Sequence, residues 1–136
     1  KKNVKKKKKF KNNKNKKSNL KKKKIIEKIK KLNPNFIIAF GCSILREDFL
    51  KEFKNKILNI HLGLSPYYRG SGTNFFPFFF KELQFLGSTV MKIDKGIDTG
   101  KIVTQIRPNF KQDDNIHTLG NKIIFKSVET LKKIIN

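Results

Sequence analysis

Two short apolar runs, NFIIAFG (residues 35–41) and KILNIH (56–61), flank the amphipathic segment REDFLKEFKN (46–55), and no other feature limits the fold more. Both runs are short and rich in isoleucine, so each predicts a strand. The segment between them places Phe49, Leu50 and Phe53 on one side of a short helix. Strand, helix and strand in about 25 residues make a βαβ unit, whose crossover brings the second strand back parallel to the first. NFIIAFG has no polar alternation and predicts a strand buried on both faces.

The second half extends the pattern. GTNFFPFFFKEL (72–83) predicts a helix with Pro77 in its first turn, Thr73 or Asn74 near its cap and its phenylalanines in the core; Phe75 or Phe76 could alternatively face a base or a sugar. GSTVMKID (87–94) and KIVTQIRP (101–108) predict two strands joined by the glycine-punctuated loop KGIDTG. From an N-cap at Asp113 or Asp114, the apolar positions Ile116, Leu119, Ile123, Ile124, Val128, Leu131 and Ile135 mark one face of a long closing helix. The expected fold is α/β, with a mainly parallel sheet and a late antiparallel hairpin.

Charge bears on the ends more than on the fold. Residues 1–33 hold 18 lysines against one glutamate, whereas the remaining 103 residues hold 15 Lys and Arg against 9 acids. Residues 1–17 read as a low-complexity, disordered lysine-rich tail, passive or able to touch nucleic acid non-specifically, and 18–136 as one domain. A helix is expected from Ser18, with Ile25, Ile26, Ile29 and Leu32 on one face and Asn33-Pro34 ending it. Cys42 is the single cysteine, which excludes an internal disulfide and a zinc site built on cysteines, and it reads as a small buried hydrophobe. No apolar run reaches the roughly 20 residues of a membrane helix. A soluble, cytoplasmic protein is expected, with organellar import left open by a first residue that is not Met.

The carboxyl ends of strands in open α/β sheets are where ligands bind, and NIHLGLSPYYRG begins at such an end. Asn59 and His61 are two apart, so on a strand both side chains project to one side while Ile60 points into the core. An amide donor and an imidazole presented together can hold an oxyanion and move a proton; equally, Asn-x-His describes a strand-end histidine beside a turn former. Asp94 and Asp98 stand in the glycine-rich loop DKGIDTG, where Asp94 reads as a turn residue and Asp98 as a carboxylate able to orient an imidazole. No rule of sequence pairs Asp98 with His61. His117 reads as a surface residue.

Taken together, NIHLGLSPYYRG, DKGIDTG and NFIIAFGCSIL resemble, in order and spacing, the signatures of the 10-formyltetrahydrofolate-dependent formyltransferases, the family of methionyl-tRNA and glycinamide ribonucleotide formyltransferases. The likeness spans roughly residues 30–110. It implies a Rossmann-like formyltransferase fold lacking its first βα units, and transfer of a formyl group from 10-formyltetrahydrofolate to an amine with no metal. By position it implies that Asn59 binds the formyl oxygen, that His61 stabilises charge and assists proton transfer, and that Asp98 sets the imidazole's state. Phe40, Gly41, Ile44, Leu45, Asp94 and Gly96 would line the pterin slot, and Tyr68 and Arg69 would meet the acceptor. HLGLSPYY departs from the H-P-S-L-L-P-x-Y form of the tRNA and ribonucleotide enzymes, which points to a divergent member acting on a small amine such as an amino sugar. The alternatives are a methionyl-tRNA formyltransferase, which the basic tail would suit, and a truncated, inactive relative that binds polyanions.

Overall fold

The computed structural model describes residues 13–136, and side chains from residue 23 onward. Two compact units divide at Pro34–Asn35. In the first, helix α1 spans Asn13–Leu32 and so begins inside the stretch expected to be tail; residues 1–12 lie outside the described residues. Lys30 and Lys31 occupy its last turn, where they complement the helix dipole. Asn33 then turns left-handed (φ 43°), and its N–H donates back to the Lys30 carbonyl before Pro34.

The second unit carries a four-stranded sheet, β1 (Ile37–Phe40), β2 (Ile57–His61), β3 (Ser88–Lys92) and β4 (Ile102–Ile106), in that spatial order. Strands β1 and β2 are parallel across helix α2 (Glu47–Glu52), as the βαβ pattern requires. Both other pairs, β2/β3 and β3/β4, are antiparallel, so the sheet is mixed and not mainly parallel. The cause is topological. Only α2 carries the chain across the sheet between neighbouring strands; after β2 the chain loops through residues 62–87 and enters β3 at the same end, beside His61, and β3 and β4 form the expected hairpin.

Helix α4 (Ile116–Ile135) packs on β3 and β4, and Leu58, Ile60, Val90, Ile106 and Leu131 form the core between them. Its buried stripe is Leu119, Ile123, Ser127 and Leu131, so the expected face is rotated and Val128 and Ile135 are exposed. Ser127 accounts for the rotation: its hydroxyl meets Ser88 Oγ at 2.6 Å, and two small side chains let the helix approach β3 closely. The N-cap is Asn115, not Asp113 or Asp114. Its side chain accepts from the N–H groups of His117 and Thr118, and Thr118 answers in a capping box.

Three expectations about burial fail for a common reason, the lack of a covering layer within the described chain. Strand β1 stands at the sheet edge with only Ala39 buried, and Phe40 is 47% exposed. Helix α3 is confined to Phe75–Phe79, and of its five residues only Pro77 is buried; Phe75, Phe76, Phe79 and, just beyond it, Phe80 are exposed rather than in the core. Cys42 is exposed as well. Among the described residues no helix is long and apolar enough to cross a membrane.

Candidate active site

Period-two alternation along β2 sends Asn59 and His61 to the same side of the strand, and Leu58 and Ile60 to the core. The hairpin loop 93–101 brings Asp98 to both. Its Oδ1 accepts from Asn59 Nδ2 at 3.1 Å, and its Oδ2 lies 3.2 Å from His61 Nδ1. A third donor, the Gly70 N–H, reaches Oδ2 at 2.9 Å. His61 is 6% exposed and the Asp98 side chain 13%, so the pair interacts largely out of water, where its attraction is strengthened. On the other side of the ring, His61 Nε2 lies 2.9 Å from the Tyr68 carbonyl. Both ring nitrogens therefore face oxygen acceptors, and only the imidazolium can donate to both at once.

The Asp98 backbone is left-handed (φ 51°), a conformation aspartate tolerates better than most residues. The loop around it is closed by Asp94, whose Oδ1 accepts from Gly96 N at 2.9 Å and Thr99 Oγ1 at 2.7 Å, the expected turn role. Gly100 has no alternative here: a Cβ on it would overlap the Lys92 carbonyl oxygen.

Behind the triad lies a polar lattice that sequence reasoning missed, its Ser65 and Thr89 buried and its Gln105 exposed. Thr89, opposite His61 in the β2/β3 register, donates its hydroxyl to the Gly63 carbonyl (2.6 Å) and accepts the Ser65 N–H (3.1 Å). Gln105, opposite Thr89 on β4, donates to the Ser65 carbonyl at 2.6 Å, and Ser65 Oγ donates to the Asp98 carbonyl at 3.4 Å. The turn that follows His61 is thus fixed to two strands and to the loop bearing Asp98. The available signal was the hydroxyl pair Ser88-Thr89 opening the otherwise apolar run of STVMK.

These residues open on a cleft of about 1090 Å³. Phe40, Gly41, Ile44 and Leu45 line it from the end of β1, and Asp94, Gly96 and Asp98 from the hairpin loop. Tyr68 and Arg69 are not among its lining residues. The Tyr68 hydroxyl turns instead to the Glu82 carboxylate, and that hydrogen bond, followed by burial, raises the phenol above its usual range. Tyr68 meets the site only through its carbonyl. His117, expected to be a plain surface residue, lines the cleft with Ile116 at the start of α4.

The family model described as "Formyl transferase" matches residues 1–135. The methionyl-tRNA formyltransferase of Thermodesulfovibrio yellowstonii is 34% identical over 113 residues, which are 82% of this chain and 36% of that protein. That of Clostridium tetani is 38% identical over 115 residues, again 82% and 36%. The chain thus spans little more than a third of the length of the curated relatives it matches. Among solved structures, phosphoribosylglycinamide formyltransferase from Streptococcus pneumoniae TIGR4 shares the fold, with a TM-score of 0.72 at 20% identity over 84% of this chain and 63% of that one. The formyltransferase PseJ from Anoxybacillus kamchatkensis, in complex with UDP-4,6-dideoxy-4-formamido-L-AltNAc and tetrahydrofolate, gives a TM-score of 0.59 at 25% identity over 96% of this chain and 57% of that one.

Proposed function

We infer the reaction from one premise: this chain belongs to the formyl transferase family. We propose that it transfers a formyl group from 10-formyltetrahydrofolate to the amine of an amino sugar. The observation that carries this reading is the convergence of Asn59, His61 and Asp98 on one cleft.

The donor cosubstrate supplies an activated formyl carbon. Phe40, Ile44, Leu45 and Ile97 offer a flat heteroaromatic ring an apolar slot, while Gly41 and Gly96 leave backbone groups accessible for its polar edge. Asn59 has two amide hydrogens. One is held by Asp98, and the second is available to the formyl oxygen, where negative charge grows as the amine attacks. Such a donor, fixed in advance, lowers the barrier by about 3 kcal/mol. His61, oriented by Asp98 at Nδ1, accepts the amine's proton at Nε2, the Asp98 carboxylate balancing the charge that forms, and returns it to the tetrahydrofolate nitrogen as that nitrogen's bond to the formyl carbon breaks. For His61 to reach the acceptor through Nε2, that nitrogen exchanges its bond with the Tyr68 carbonyl for one to substrate.

The amino-sugar acceptor is supported by PseJ, whose structure holds a formamido sugar nucleotide and whose likeness extends over 96% of this chain. Methionyl-tRNA is the second reading, supported by the identity to the Clostridium tetani enzyme and by the basic composition, and it predicts steeply salt-dependent tRNA binding. The test is transfer of labelled formyl from 10-formyltetrahydrofolate by the full chain to a panel of UDP-linked amino sugars and to methionyl-tRNA. Label on a sugar amine supports the first reading, and label on tRNA alone replaces it with the second. Turnover unchanged in both His61→Ala and Asp98→Asn removes the mechanism.

A further inference from the structure

We propose that Phe75, Phe76, Phe79 and Phe80 form a stacking platform for the nucleobase of the acceptor, a nucleoside diphosphate-linked amino sugar whose amine end reaches the triad; this rests on the formyl-transfer reading above. Phe79 is 65% exposed and Phe80 59%, with Phe75 and Phe76 also exposed. A contiguous apolar patch of this kind on a folded surface marks a binding site. Its rings are ordered. Phe75 and Phe79 stack with centroids 5.8 Å apart and planes 17° apart, Phe76 and Phe80 at 6.2 Å and 18°, and two edge-to-face contacts join the pairs. Rings that hold one another in parallel offer flat faces outward, the geometry on which any base can stack.

The platform is continuous with the cleft. Phe75 lines the cleft beside Thr73 and Asn74, and the Phe76 ring lies against Gly72, where a Cβ would come within 2.9 Å of it. At the foot of the rings Asn74 accepts from the Gly87 N–H at 3.4 Å, but its Nδ2 is buried with no hydrogen-bond partner among the described residues. Asn74 lines the cleft, and a small rotation that brings this orphaned donor to the cleft surface would let it meet a phosphate or ribose oxygen. The charges agree: exposed Arg69 and Lys81 bracket the segment in sequence with no acid between them, and the next carboxylate, Glu82, is engaged by the Tyr68 hydroxyl. One ladder, one orphan donor and two cations suit a single nucleotide better than a strand of RNA or an apolar protein surface.

The experiment is NMR of the full chain with ¹³C-labelled phenylalanine rings, titrated separately with UDP, ADP, ribose 5-phosphate, deacylated tRNA and tetrahydrofolate. UDP and ADP should shift the four rings of the ladder, and ribose 5-phosphate should leave them unmoved. Replacing both Phe79 and Phe80 with Leu should weaken UDP about tenfold, and replacing both with Tyr should retain it. Asn74→Asp should weaken UDP without changing tetrahydrofolate. The proposal is overturned by equal binding of UDP and ribose 5-phosphate, by full affinity in the leucine variant, by a dimer that the leucine variant abolishes, or by ring shifts with tRNA but with neither nucleotide. UDP binding without tetrahydrofolate binding would support the platform and sink the formyl-transfer reading; tetrahydrofolate binding without UDP would do the reverse.

Discussion

The cleft has two unlike walls. On one, Asn59, His61 and Asp98 are each held by at least one partner, and Asp98 alone collects three donors, while Thr89, Ser65 and Gln105 fix the turn behind them. On the other, Phe40, Ile44 and Phe75 stand exposed, and Phe75 is held by little beyond its ring contacts with Phe76 and Phe79. A largely buried polar lattice is over-determined, so a single lost atom strands several partners and the damage spreads. An exposed apolar wall loses only the contact removed. On the proposed reading the first wall controls the reaction and the second receives a flat molecule, and substitutions should separate them: kcat should fall on the first and KM rise on the second.

The largest effect should come from the triad. His61→Ala and Asp98→Asn are expected to lower kcat by about 10² to 10⁴ while leaving tetrahydrofolate affinity within a few-fold. A fall in affinity as large as the fall in kcat would break the distinction between the walls.

Gly100→Ala comes next. The added methyl would collide with the Lys92 carbonyl, so the 93–101 loop must shift and take Asp98 with it. Circular dichroism should show the fold retained while kcat drops about a hundredfold. Wild-type turnover would mean that the loop does not set Asp98. Thr89→Val tests the lattice at one remove: it keeps shape but strands the Gly63 carbonyl and the Ser65 N–H. About a tenfold loss of kcat is expected, together with about 1–3 kcal/mol of stability, both recovered in Thr89→Ser. On the apolar wall, Phe40→Ala should raise KM for the folate a few-fold and leave kcat unchanged, which sharpens the contrast.

The same contrast explains what could be read from the chain beforehand. Asn59 and His61 were legible because strand periodicity alone puts them on one side of β2. Asp98 was legible from local pattern as a candidate but as the partner of His61 only through the family resemblance, since the pairing depends on a left-handed residue in a loop and on a β2/β3 register that no local pattern encodes. The roles of Thr89 and Gln105 were missed for the same reason: each holds the turn after β2, which only the sheet register brings within reach. The errors cluster where burial was inferred from composition. IIAF and ILNIH are similar runs, yet β2 has a strand on each side and β1 has one, so β1 keeps Ile38 and Phe40 exposed. The phenylalanines of α3 failed similarly, because hydrophobic spacing shows which residues share a face and not whether another layer covers it. In α4 the stripe turned toward Ser127, a polar residue that pattern reading assigns to solvent and Ser88 draws into the core.

The smallest effect belongs to the third side of the cleft, the start of α4, which carries Ile116 and His117. Asp114 pins it: its carboxylate takes the Lys122 ammonium at 2.6 Å and the Lys111 N–H at 2.8 Å, and those bonds, Lys122 first, hold its pKa below the usual aspartate value. A carboxylate depressed on folding stabilises the native state above its unfolded pKa, near 4, and that contribution disappears as pH falls through the lower folded value. Asp114→Asn should therefore lower Tm by a few degrees at neutral pH, with the gap to wild type closing as both are acidified below about pH 4. Because the ion pair touches neither wall of the cleft, kcat should stay within about twofold of wild type. A gap that widened in acid would reverse the sign of the linkage and show that Asp114 is held by something other than its charge.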